Sequence, residues 1–107
     1  MDGYKDAIFF TEEDKNGWTG NETFSMEAEE VIFKDCSHFV DTIIGYLPID
    51  FCEYDQLGFD FWLTRNGQNA FAKRIMLYNG AAKILTQVSE VFGTVYAYAE
   101  NDEIFLK

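Results

Sequence analysis

GFDFWLTRNG, running from Gly58 to Gly67, is the stretch on which the fold turns. Phe59, Phe61 and Leu63 alternate with Asp60, Trp62 and Thr64, the period-two pattern that puts one set of side chains on each face of a strand. Asn66-Gly67 follows at once, and Asn-Gly is the dipeptide favoured in two-residue hairpin turns, whose central residues both need positive φ. The stretch predicts a strand entering a hairpin. Ala70 to Leu77 supplies the returning strand, with a register that Lys73-Arg74 leaves open.

On the N-terminal side, Ile49 to Leu57 reads as a short helical turn closed by Gly58. Before it, from Ser25 to Ile44, Ala28, Val31, Ile32, Cys36, Phe39, Val40 and Ile43 recur at spacings of three and four, the single apolar stripe of an amphipathic helix. Ser25 is its expected N-cap. Glu27, Glu29 and Glu30 stand where unpaired first-turn amides favour negative charge, and Gly45 with Pro48 ends the helix. Tyr4 to Thr11 predicts a short N-terminal helix, and Asp14 to Glu22 a loop from which Trp18 folds back to the core.

On the C-terminal side, Asn79-Gly80 opens a second helix whose apolar face is Ala81, Ile84, Leu85, Val88, Val91 and Phe92, terminated by Gly93. Val95, Ala97 and Ala99 then alternate with Thr94, Tyr96 and Tyr98, and a turn at Glu100-Asn101-Asp102 leads to a last strand through Ile104 and Leu106. The expected fold is α+β: an antiparallel sheet of about four strands in two hairpins, packed against two main helices, with a short N-terminal helix. Residues 1–107 make one domain, since a chain of 107 residues has surface to bury for one core.

Hydrophobic residues make up 48% and aromatics 18%, enough to drive collapse despite a net charge of -11. That charge is uneven: residues 1–60 hold 15 acidic and 3 basic residues, net -12, and residues 61–107 hold 4 and 5, net +1. Direct nucleic-acid binding, which relies on cations that neutralise phosphates, is not expected of such a surface. A partner protein with a basic surface suits it, including a nucleic-acid-binding protein whose groove normally holds phosphates.

No stretch approaches the roughly 20 apolar residues that span a bilayer, and Met1 to Asp6 lacks the basic and apolar regions of a secretory signal, so the cytoplasm is the expected compartment. Cys36 and Cys52 then read as buried free thiols. A lone His38 with two separated cysteines makes no metal set, and Cys36 and His38 diverge by about 200° on a helix. No glycine-rich phosphate loop occurs, and no carboxylate pair stands out as acid and base. The reading calls for no cofactor, no metal and no catalytic residue.

The segment from Asp60 to Gly67 resembles the signature of a small family of uncharacterised proteins from bacteriophages and other mobile elements, roughly Gly-His-Asp-Phe-Trp-Leu-Thr-Arg-Asn-Gly-His-Gly-Ala-Gly-Phe, and matches it without a gap. The likeness covers most of the chain: an acidic helix before the motif, then Ala82 to Gly93 and Val95 to Ile104 as a helix and final hairpin. After Gly67 the chain departs from it, with Gln68 for histidine, Asn69 for glycine and one residue fewer before Phe71. What the resemblance implies is a provenance, a mobile element, more than an activity.

Within the motif, Asp60 and Arg65 are expected to pair across the strand end and hold the turn, which makes the signature structural. A binding surface of Asp60, Trp62, Thr64, Arg65, Asn66 and Gln68 is the competing reading. The acidic face is expected from Glu27, Glu29, Glu30, Asp35 and Asp41 on the long helix, with Asp50, Glu53 and Asp55 nearby. The leading functional expectation is non-enzymatic protein binding through that face, in its sharpest form by imitating DNA charge. A small ligand-binding or enzymatic pocket beside Asp60, Arg65 and Asn66 is the alternative, and a homodimer covering Tyr96 and Tyr98 is a third.

Overall fold

The computed structural model describes residues 2–46, 54–73 and 79–107. In chain order these form α1 (Asp2–Asn16), β1 (Thr23–Phe24), α2 (Met26–Ile43), α3 (Tyr54–Arg65), a 3-10 turn (Phe71–Lys73), α4 (Asn79–Val91), β2 (Ala97–Glu100) and β3 (Glu103–Leu106). The α+β class holds, but among the described residues there are four α-helices and a three-stranded sheet, ordered β1-β3-β2.

The largest correction concerns the motif. Residues 59–64 are not a strand: they are the middle of α3, which starts at Tyr54 and runs straight through Gly58. The hairpin expected there is absent. Ala70 to Lys73 enter a single 3-10 turn, Arg74 to Leu77 lie outside the described residues, and so do Ile49 to Glu53 of the expected helical turn. The physical reason lies in how α3 is enclosed. Leu57, Gly58 and every residue from Asp60 to Arg65 are buried, so no exposed face imposes a 3.6-residue period on the sequence. A chance alternation of aromatics then imitates a strand.

Asn66-Gly67 ends this helix rather than turning a hairpin. Gly67 has φ +98, its N–H donates to the Thr64 carbonyl at 3.1 Å, and the Gln68 N–H donates to the Leu63 carbonyl at 2.9 Å. That pair of bonds is the Schellman cap, which needs a left-handed residue just past the helix. Hairpin turns and helix caps ask the same thing of glycine, so the dipeptide alone does not tell them apart.

The local signals elsewhere behave as read. Ser25 Oγ accepts from the Ala28 N–H at 3.0 Å at the start of α2, whose buried side is Ala28, Ile32, Cys36, Phe39 and Ile43. Gly93, at φ +75, follows the last turn of α4. β2 and β3 form the expected C-terminal hairpin, in register from Ala97 opposite Leu106 to Glu100 opposite Glu103, and Asn101 and Asp102 both take positive φ between them. Unforeseen are the length of α1, which continues to Asn16, and the two-residue β1, which pairs with β3 in parallel. Trp18 is buried, as expected. Val31, read as part of the α2 stripe, and Val91, read as part of the α4 core face, are instead 37% and 85% exposed.

At the centre of the core, Phe61 of α3 stacks on Phe39 of α2, rings 4.0 Å apart and inclined by 7°, with Tyr4 of α1 and Phe92 packed round it. α1 packs closely on α3. A methyl group on Gly3 would fall on the Asp55 backbone carbonyl. In an isolated helix Gly→Ala stabilises, but here Gly3→Ala is expected to destabilise by about 1–3 kcal/mol through overpacking, read by urea denaturation. Gly45→Ala, whose methyl would meet nothing nearer than 3.5 Å, is the control expected to stay within about 0.5 kcal/mol.

Candidate functional site

The motif residues are internal fasteners. Arg65, in the last turn of α3, is buried and uses four of its five N–H groups: Nη1 donates to the Tyr4 hydroxyl at 3.0 Å and to Asp35 Oδ2 at 2.9 Å, Nη2 to the Phe92 carbonyl at 3.0 Å, and Nε to the Gly93 carbonyl at 2.9 Å. The last two acceptors lie just past the end of α4, where helix carbonyls lack partners and favour a cation. The guanidinium also lies over the rings of Phe61 and Phe92, 5.3 and 5.6 Å from their centroids. One side chain therefore joins the four described helices, α4 through the two carbonyls beyond its end.

Arg65 pairs with Asp35, then, where the sequence suggested Asp60. Asp60 is buried and accepts from Gln56 Nε2 at 3.2 Å, one turn earlier on the same helix. The Trp62 indole N–H donates to Thr11 Oγ1 at 3.1 Å, tying α3 to α1. Asn66 donates to the Trp62 carbonyl at 2.9 Å and accepts from the Val95 N–H at 2.9 Å, tying the end of α3 to the approach to β2. Thr64 is buried. Of the six residues read as a binding surface, only Asn66, half-buried, and Gln68, exposed, reach solvent to any extent.

Burial also shifts two ionisations further from neutral pH. Desolvation holds the Tyr4 phenol well above its usual range, and it pushes the Cys36 thiol up to about 12, so both stay protonated at neutral pH. A thiol so placed is a core group rather than a nucleophile. Cys52 lies outside the described residues. Among the described residues, no three of His, Cys, Asp or Glu converge on a metal position. No described helix is long and apolar enough to cross a membrane.

The acidic face is present in part. Glu27, Glu29, Glu30 and Asp41 are exposed on α2 and Asp55 on the first turn of α3, while Asp50 and Glu53 lie outside the described residues. Asp35 does not belong to it, because its carboxylate turns inward to Arg65. Lys5 of α1 pairs with Glu29, and these two ion pairs are the only ones among the described residues. Two features had been passed over. Met26 and Phe33, 84% and 75% exposed, sit two turns apart among the α2 carboxylates. Both fall off the apolar stripe, which is the signal by which they could have been found.

Two of the concavities among the described residues flank these elements. The larger, about 540 Å³, lies between α2 and α4 and is lined by Ile84, Val88, Val91 and Phe92 against His38 and Tyr46. The smaller, about 340 Å³, adjoins the motif, bounded by Glu12 of α1, Trp62, Asn66 and Gln68 at the end of α3, and Thr94 and Tyr96. Of the three residues expected at the mouth of a pocket, Asn66 alone lines it, for Asp60 and Arg65 are interior. Neither a protein-family model, nor a curated protein, nor a solved structure matches this chain.

Proposed function

We propose that this chain is a non-enzymatic accessory protein, of the kind mobile elements encode, that binds a protein partner with a basic surface through its acidic helical face. The observation that carries the reading is the outer side of α2: Glu27, Glu30 and Asp41 stand in solvent outside both described ion pairs, beside the exposed Met26 and Phe33. Carboxylates steer a cationic partner and repel nucleic acid, and an exposed aromatic among them supplies an apolar anchor that a purely solvated face does not need. Charge imitation of DNA is the strongest form of the idea.

The immobilised protein, exposed at low salt to a lysate of its source and eluted with a salt gradient, is expected to retain basic proteins and to lose them to competing duplex DNA. Glu27→Gln with Glu30→Gln is expected to weaken retention roughly two- to fivefold per charge removed and to advance elution. Phe33→Ala is expected to lower affinity without changing the salt dependence. Retention that ignores both salt and the double substitution would sink the proposal.

A further inference from the structure

We infer that the smaller cleft is a socket for an organic cation, a guanidinium or alkylammonium on a carbon stem, with Glu12 as its counter-ion. Assigning that cation to an arginine or lysine side chain of the partner rests on the function proposed above; the preference of the cleft for a cation does not. Glu12 is only 7% exposed, and its carboxylate accepts from the side-chain amide of Asn16, one turn on. Neither of the two ion pairs among the described residues involves it. A carboxylate so far removed from water is costly unless a cation faces it, and the cleft it lines leaves room for one.

The remaining walls fit the same ligand. Trp62 and Leu63 give an apolar side for methylene groups, while Gln68 and Thr94 are exposed and offer oxygens to N–H donors. Tyr96, 57% exposed, brings an aromatic ring to the cleft. Asn66, held at both ends of its amide, is a fixed part of the wall. Among the described residues no Lys, Arg or His lines the cleft, so an anion would meet Glu12 there and a chain of net charge -11. A volume of about 340 Å³ lies at the low end for small-molecule sites, the size for one extended side chain rather than a large cofactor.

The test titrates the folded protein with n-butylguanidinium, with its neutral isostere n-butylurea, and with a blocked tripeptide carrying a single arginine. The readout is the NMR signal of the Trp62 indole N–H, with Trp18 as the internal reference. Butylguanidinium is expected to shift the Trp62 signal saturably and butylurea to leave it in place. Glu12→Gln, which keeps the hydrogen bond to Asn16 and removes the charge, is expected to weaken binding at least about tenfold. Glu13→Gln, an equal loss of charge at the neighbouring exposed position, is expected to leave binding unchanged.

Tyr96→Ala, at an exposed side chain whose loss does not threaten folding, is expected to weaken binding roughly two- to fivefold. It decides the matter should Glu12→Gln fail to fold. No saturable shift, an undiminished Glu12→Gln, or a Glu13→Gln as weak as Glu12→Gln would each overturn the socket. Tripeptide binding tighter than the free cation supports a protein source, and equal affinity overturns that half of the inference. Capture of salt-sensitive basic partners by a protein that ignores butylguanidinium would remove the socket and leave the acidic face standing, and the converse result would separate them the other way.

Discussion

Arg65→Ala is expected to lower the unfolding free energy by about 3–5 kcal/mol, the range for breaking a buried ion pair by deleting one partner. The guanidinium serves the Tyr4 hydroxyl, the Asp35 carboxylate and two carbonyls beyond α4 at once, and its removal strands all four acceptors in or near the core. Such a loss is a large share of what a domain of this size has in reserve. Urea denaturation followed by tryptophan fluorescence reads it directly. Arg65→Lys is expected to recover little, because a point ammonium cannot span acceptors that a planar fork reaches in three directions. A cost below about 1 kcal/mol for Arg65→Ala would show that these bonds do not hold the helices together. A cycle with Asp35→Asn isolates the ionic part, the two side chains being in contact.

Phe61→Ala is expected to cost a similar amount, about 3–5 kcal/mol, from lost burial together with the cavity left behind. The ring packs on Phe39, Tyr4 and Phe92 and carries the Arg65 guanidinium on its face, so few neighbours are free to collapse into the space. The same substitution at Phe33, exposed on α2, is expected to stay within about 0.5 kcal/mol. Trp62→Ala separates the helix from a strand. On a strand, Phe61 and Trp62 would point to opposite faces and one of them would tolerate truncation. In α3 both are buried, and both truncations are expected to be severe.

Legibility followed the range of the forces involved. α2 was readable because one side meets the core and the other meets water, which writes a stripe into the sequence, and because Ser25 caps it locally. The C-terminal hairpin was readable because Asn101 and Asp102 can take the positive φ its turn demands. α3 reads as a strand for the converse reason: it packs against α1, α2 and the end of α4, and a helix buried along all of its last six residues keeps little periodic mark of being one. Asn66-Gly67 deepened the error, since its glycine meets the needs of both a hairpin and a Schellman cap. Glu12 carried no signal at all as one acid among 19.

By itself, then, the amino-acid sequence determined an α+β class, two amphipathic helices with their stops, a terminal hairpin, and an acidity confined to residues 1–60. Each follows from side chains within a few positions of one another or from plain charge counting. Tertiary structure alone decided that residues Asp60 to Arg65 of the motif are buried helix, that Arg65 takes Asp35 out of the acidic face to fasten four helices, and that Glu12 lines a cleft outside either described ion pair. Those outcomes depend on which distant segments pack together. Burial and hydrogen-bond demand act across space, and residues 30 and 61 positions from Arg65 supply the partners its own segment lacks.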